Sequence, residues 1–156
     1  MLSTKAIQVY TDGSCHTQLC IGAWAALIFI GDVKIILSGI ENNTTHNRME
    51  LMAVIKAVEH IRQNEQAALI TVVTDSQYVT GLQARQQKFI ANNFTSKKGN
   101  QISNADLVKE LLALLDKVPV TLQKIKAHQK ITVEENYNIE ADKLSRSLVR
   151  QAVKGL

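Results

Sequence analysis

The sequence predicts an α/β fold in which a five-stranded mixed sheet opens with three antiparallel strands and is flanked by helices. Three observations carry that prediction. Residues 6–38 hold three β-rich apolar runs separated by turn residues; the run after them repeats its apolar positions with the period of a helix; and residues 68–74 form a short, almost unbroken apolar run of the kind buried on both faces of a sheet. Strands and helices alternating in this way call for a sheet covered by helical layers.

The elements follow in order. Residues 6–11 (AIQVYT) carry β-branched and aromatic side chains and run into Asp12-Gly13, which reads as a strand ending at a turn. Residues 22–30 (GAWAALIFI) and 33–38 (VKIILS) are two further strands, joined by Gly31-Asp32 as a hairpin. After Asn47, the residues Leu51, Val54, Ile55, Val58 and Ile61 fall on one stripe and predict a long amphipathic helix. The strand 68–74 comes next, with Asp75-Ser76 available as a helix cap. From 77 to 103 the pattern is less regular; it reads as two short helices reaching about Asn93, then a polar connection, TSKKGNQIS. A stronger helix runs from Asn104 through Leu107, Leu111, Leu114 and Leu115 to Lys117, stopped before Pro119. A strand over 120–126, a polar loop containing His128 and a last helix over roughly 138–153, marked by Leu144, Leu148 and Val149, complete the chain.

At 156 residues, one domain spanning 1–156 is expected, large enough to bury a core unaided. The composition, 46% hydrophobic and 21% charged with a single proline, excludes disordered and collagen-like classes. No apolar run approaches the roughly 20 residues of a membrane span, and the first residues lack the apolar core of a secretory signal, so a cytoplasmic protein with no membrane partner is expected. Cys15 and Cys20 have no second Cys/His pair at zinc-site spacing and are expected as small free thiols. The net charge of +4 is compatible with a polyanionic partner. Its distribution is more informative: no carboxylate lies between Asp75 and Asp106, while Arg85, Lys88, Lys97 and Lys98 all fall there.

Four carboxylates are placed where elements end or face inward: Asp12, Glu50, Asp75 and Asp142. Each alone has an ordinary explanation, as a turn residue, as half of a capping box with Asn47, as an N-cap, or as a solvated helix charge. The text around them changes the balance. The segments YTDGS (10–14), NRMELMAV (47–54), TDSQYV (74–79), KAH (126–128) and NIEADKLSR (138–146) resemble, in order, the signature blocks of ribonuclease H type 1, across nearly the whole chain.

That resemblance implies a ribonuclease H-like fold and endonucleolytic hydrolysis of the RNA strand of RNA–DNA hybrids, giving 5′-phosphate and 3′-hydroxyl ends. It implies Asp12, Glu50, Asp75 and Asp142 as metal-binding carboxylates, with Asp12 shared between two ions and least replaceable, and His128 as a mobile catalytic histidine. The chemistry suits these groups. Mg²⁺ prefers hard oxygen donors, Mn²⁺ is expected to substitute, and two ions about 3.5–4 Å apart would assist the attacking and the leaving oxygen. A histidine exchanges protons near neutral pH.

By the same resemblance Asn47 and Gln77 would touch the RNA strand, and Thr45 and Asn104 would hold a DNA phosphate. Arg85, Lys88, Lys97 and Lys98 would form a thin version of the family's basic protrusion. Two places depart from the family's text: the loop after Ser14 reads CHTQLCIG, which removes an expected RNA-contacting asparagine, and His46 stands where asparagine is common. The loop 129–137 is expected to be long, with Glu134 and Glu135 facing solvent. Alternatives from other classes are a non-catalytic hybrid-binding module, a ribonuclease H domain of a retroelement reverse transcriptase, and a junction-resolving nuclease on the same scaffold. Four intact acids argue against the first, and Met1 just before the first strand favours a stand-alone enzyme over the second. A monomer without an obligate protein partner is the expectation, acting on hybrids in replication and R-loops.

Overall fold

In a computed structural model, residues 4–66, 68–125 and 133–156 are described, the last segment with its side chains from Asn136 onward. Three strands come first: β1 (Lys5–His16), β2 (Ile21–Ile30) and β3 (Val33–Glu41). Helix α1 (His46–Asn64) and strand β4 (Ala68–Thr74) follow, then the short helix α2 (Gln77–Thr80), a 3-10 turn (Gln83–Arg85) and α3 (Gln86–Ala91). The chain continues through α4 (Ala105–Lys117), β5 (Val120–Lys124) and α5 (Val133–Lys154). The sheet order is β3-β2-β1-β4-β5, antiparallel from β3 to β1 and parallel from β1 to β5. The predicted class, the three antiparallel strands and the order of elements are all observed.

Alternation along β1 divides the core in two. Ile7 and Val9, with Ile28, Ile70 and Val72 from neighbouring strands, pack against the stripe of α1 (Leu51, Val54, Ile55, Val58, Ile61) and against Leu107, Val108 and Leu111 of α4. Tyr10, in register with Leu27 and Val73, faces the other way and meets Ala141 of α5. Each such fully buried aliphatic side chain contributes about 1.5–3 kcal/mol. On the α5 face, Tyr137 stacks obliquely on Phe29 with ring centroids 4.4 Å apart and lies 5.2 Å from Tyr10.

Several boundaries differ from the sequence reading. β1 does not end at Asp12-Gly13 but pairs with β2 as far as His16↔Ile21. The glycine serves a close approach to Met49 and Glu50, and not a turn. α1 is capped by Thr45, whose Oγ1 accepts from the Arg48 amide at 3.2 Å, and not by Asn47. α5 begins at Val133, five residues before the expected start at 138, because Tyr137 anchors its first turns on the aromatic cluster. Acidic residues there also suit a helix N-terminus. Of the expected long loop 129–137, residues 133–137 belong to α5, and 129–132 lie outside the described residues. β5 ends at Lys124, with the Ile125 amide donating to the Thr74 carbonyl at 2.8 Å; Lys126 lies outside the described residues. Cys15 and Cys20 are free and half-buried.

Candidate active site

The parallel pairing of β1 with β4 stops at Tyr10↔Val73, and β4 itself stops at Thr74. Asp12, two residues beyond that pairing, and Asp75, one residue beyond β4, therefore meet at the carboxyl ends of adjacent parallel strands, where open α/β sheets bind ligands. Gly13 brings the third acid in. A Cβ on Gly13 would lie 2.6 Å from both the Glu50 amide nitrogen and the Met49 carbonyl carbon, so only glycine lets the first turn of α1 rest on β1. Asp75 is not consumed as a cap, because Ser76 Oγ accepts from the Val79 amide at 3.1 Å and starts α2.

The result is a group of three carboxylates, Asp12, Glu50 and Asp75, whose ligand oxygens all lie within 4.8 Å of one another. Asp12 is 3% exposed and Glu50 1%. Glu50 Oε2 is buried without a hydrogen-bond partner. Asp12 Oδ1 accepts from the Gly13 amide at 2.9 Å. Burial, and then the neighbouring Glu50 and Asp75, push the Asp12 carboxyl up to about 10; Asp75 is raised too, by burial first and then by Glu50 and Asp142. Packed like charges with an orphaned buried oxygen are unfavourable alone and become favourable around a cation. An all-oxygen donor set fits a hard divalent ion such as Mg²⁺ or Mn²⁺.

Asp142, on α5, lines the same cavity of about 410 Å³ but stands outside the tight group of three. Its Oδ1 accepts from Arg146 Nε at 3.0 Å, one turn further along the helix. The structure thus brings together the four acids singled out in the sequence. His128 lies outside the described residues, and so do the side chains of Glu134 and Glu135.

The other candidates occupy two neighbouring regions. Arg48 grips Asp106 through two hydrogen bonds of 2.9 Å, fastening the N-terminal end of α1 to that of α4 and setting Thr45 and Asn104 at those two ends. Asn104 has left-handed backbone (φ 61°), and its amide donates to the Tyr78 hydroxyl at 3.3 Å. Asn47 and Gln77 are exposed in the first turns of α1 and α2. In the basic segment, Arg85, Lys88 and Lys97 line one cavity of about 480 Å³ with Phe89 and Ile102. The Arg85 guanidinium lies 4.7 Å from the centre of the Phe89 ring, and Phe89 stacks on Phe94. Lys98 is exposed and is not among the residues lining that cavity.

One residue in the acidic cavity has no role in the sequence reading. His46 Nε2 lies 3.2 Å from Glu50 Oε1, and Glu50 raises the imidazole pKa through that hydrogen bond. The available signal is the i,i+4 spacing on α1, which puts the two on one face. Arg146, which ends the NIEADKLSR block, and Arg150 also line the cavity, and nothing in the local sequence marks Arg150 for it.

A mixed five-stranded sheet of this order, with acids at the ends of its parallel strands, defines the ribonuclease H-like class. It superimposes on LC9-RNase H1, described as a type 1 RNase H with the type 2 active-site motif, with a TM-score of 0.80 at 22% identity, covering 97% of this chain and 75% of the other. The PFV RNase H domain gives a TM-score of 0.72 at 23% identity, covering 93% and 94%. In sequence, the family model described as RNase H matches residues 4–150. A curated ribonuclease H of Caldicellulosiruptor saccharolyticus is 33% identical, covering 94% of this chain and 98% of the relative. One from a Wolbachia of Drosophila simulans is also 33% identical, covering 97% and 100%. The chain belongs to the ribonuclease H family and is an endoribonuclease. Among the described residues, no helix is long and apolar enough to cross a membrane.

Proposed function

We propose that this chain hydrolyses the RNA strand of RNA–DNA hybrids, with two divalent cations, Mg²⁺ by preference and Mn²⁺ in its place, held by Asp12, Glu50, Asp75 and Asp142. The observation that carries this reading is the meeting of Asp12, Glu50 and Asp75 within 4.8 Å, with Glu50 Oε2 buried and unpartnered. When bound, the cations supply Lewis acidity: they offset the charge of the phosphate and lower the pKa of water.

The chain's own residues do the rest. Asp12, central and perturbed first by burial and then by Glu50 and Asp75, is the acid least open to replacement. Asp142, exposed on one side and held by Arg146, closes the cluster from α5. Water attacks the phosphorus, the P–O3′ bond breaks, and the departing oxygen takes a proton, leaving a 3′-hydroxyl on one fragment and a 5′-phosphate on the other. His128 is assigned the proton exchange that accompanies this, by the KAH block alone. Asn47 and Gln77 reach the RNA strand near the cut, where the 2′-hydroxyls distinguish it from DNA. Thr45 and Asn104 stand at joined helix N-termini, a setting suited to a DNA phosphate. Arg85, Lys88, Lys97 and Lys98 extend the grip beyond the site. The protein acts in this reading as a monomeric single domain in the cytoplasm, removing RNA from hybrids formed in replication and R-loops.

The test is carboxamide substitution at each acid in turn, with cleavage of a labelled hybrid as readout. Asp12→Asn, Glu50→Gln and Asp75→Asn are each expected to lose at least about a hundredfold in rate, while Glu110→Gln, beside Glu59 of α1 and not among the residues lining the acidic cavity, retains activity. Unchanged cutting by any of the first three would overturn the assignment.

A further inference from the structure

We infer that His46 is a positioning residue for the metal site: by donating from Nε2 to Glu50 Oε1, it turns the buried, unpartnered Glu50 Oε2 toward the cation. The inference rests on the metal-binding reading above and deepens it. His46 is the first residue of α1 and Glu50 lies one turn on, so both side chains project to the same face at the mouth of the acidic cavity. The contact is 3.2 Å long, and the two partners differ sharply in exposure: 61% for the His46 side chain and 2% for that of Glu50. An imidazole held at the solvent edge thus fixes a carboxylate inside. Of the two Glu50 oxygens, Oε1 is occupied by His46 while Oε2 has no partner among the described residues. Glu50 is one of the three acids whose ligand oxygens converge within 4.8 Å.

The neutral imidazole suffices, since a single N–H donates. Groups that orient metal ligands in this manner typically change metal affinity about 10–100-fold when removed. A structural role would look different. His46 is exposed, and its backbone lies in a helix already capped by Thr45, so α1 forms without its side chain.

The experiment is a titration of the substrate-free protein with Mg²⁺ alone, followed by NMR shifts of Asp12, Gly13 and Asp75 amides, in the parent, His46→Ala, His46→Gln and Asp12→Asn. Thermal unfolding in chelator serves as the folding control. Expected are metal binding in the parent, its loss in Asp12→Asn, and a Kd raised at least about tenfold in His46→Ala, which still unfolds cooperatively in chelator. His46→Gln, which offers an amide N–H donor on a side chain of comparable length, restores affinity to within about threefold of the parent. Equal or tighter binding by His46→Ala would overturn the inference, as would failure of His46→Gln to restore it. No binding by the parent would instead overturn the metal reading on which the inference stands.

Discussion

Replacing Asp12 by Asn tests the energetics of the acidic cluster separately from its chemistry. Asp12 is buried between Glu50 and Asp75, and its carboxyl is pushed from 3.8 up to about 10. An acid whose folded-state pKa is raised leaves stability intact below the unfolded value and erodes it as pH rises toward the folded one. Each pH unit in that window is worth about 1.4 kcal/mol, so between 3.8 and neutrality the ceiling is about 4 kcal/mol, which local relaxation brings to roughly 2–4 kcal/mol. Asn keeps the side-chain oxygen that accepts from the Gly13 amide at 2.9 Å and removes the charge. In chelator at pH 7, Asp12→Asn is therefore expected to be the more stable protein by that margin in urea unfolding, although it cannot cut. The advantage shrinks as the pH is lowered toward 4, where the parent's acid is protonated in both states. It shrinks also in millimolar Mg²⁺, which stabilises only the parent by binding its folded form. A variant no more stable than the parent in chelator, or a difference independent of pH between 4 and 7, would refute the reasoning.

Three further outcomes follow from the geometry. Gly13→Ala places a Cβ 2.6 Å from the backbone of Glu50 and Met49, so a loss of about 1–3 kcal/mol in denaturant unfolding is expected, with a fall in kcat as Glu50 is pushed from Asp12; a neutral effect on both would show that α1 does not rest on β1. Changing Arg85, Lys88, Lys97 and Lys98 together to Ala is expected to weaken hybrid binding and to flatten its log–log salt dependence by about one unit for each phosphate these cations neutralise, and an unchanged slope would remove the basic segment from the interface. Arg48 holds the Asp106 carboxyl down at about 2, so the pair's contribution is complete above 3.8 and is lost as the pH falls from 3.8 through 2. Being largely exposed, it is worth less than about 1 kcal/mol, and Asp106→Asn should lower stability by that amount at pH 5 and by only a small part of it at pH 2.

The parts legible in the sequence are those in which local pattern and tertiary demand agree. The α1 stripe and the unbroken apolar run of β4 give period and burial directly, and both elements stand where they are expected. The acids are legible through the text flanking them, not through their own residue type, since each taken alone has an ordinary role. Sequence and structure part where a long-range contact overrides local chemistry. Asp12-Gly13 has the composition of a turn, yet Gly13 is required because helix α1 touches the strand there, through Met49 and Glu50, far along the chain. Thr45 and Asn47 are both competent caps, and only the backbone at Thr45 selects between them. The early start of α5 depends on Tyr137 finding Phe29 across the sheet, which no periodicity within the helix announces. His46 is hidden for a different reason: its i,i+4 partner Glu50 is already read from its own sequence block as a metal ligand, which masks the pair.

The most direct test is incubation of the protein with end-labelled RNA–DNA hybrid, duplex RNA, duplex DNA and single-stranded RNA, in Mg²⁺ and in chelator. Cutting confined to the RNA strand of the hybrid and abolished by chelation is the expected result. A hybrid that is bound but left intact in both Mg²⁺ and Mn²⁺ would contradict it and leave a non-catalytic binding module in its place.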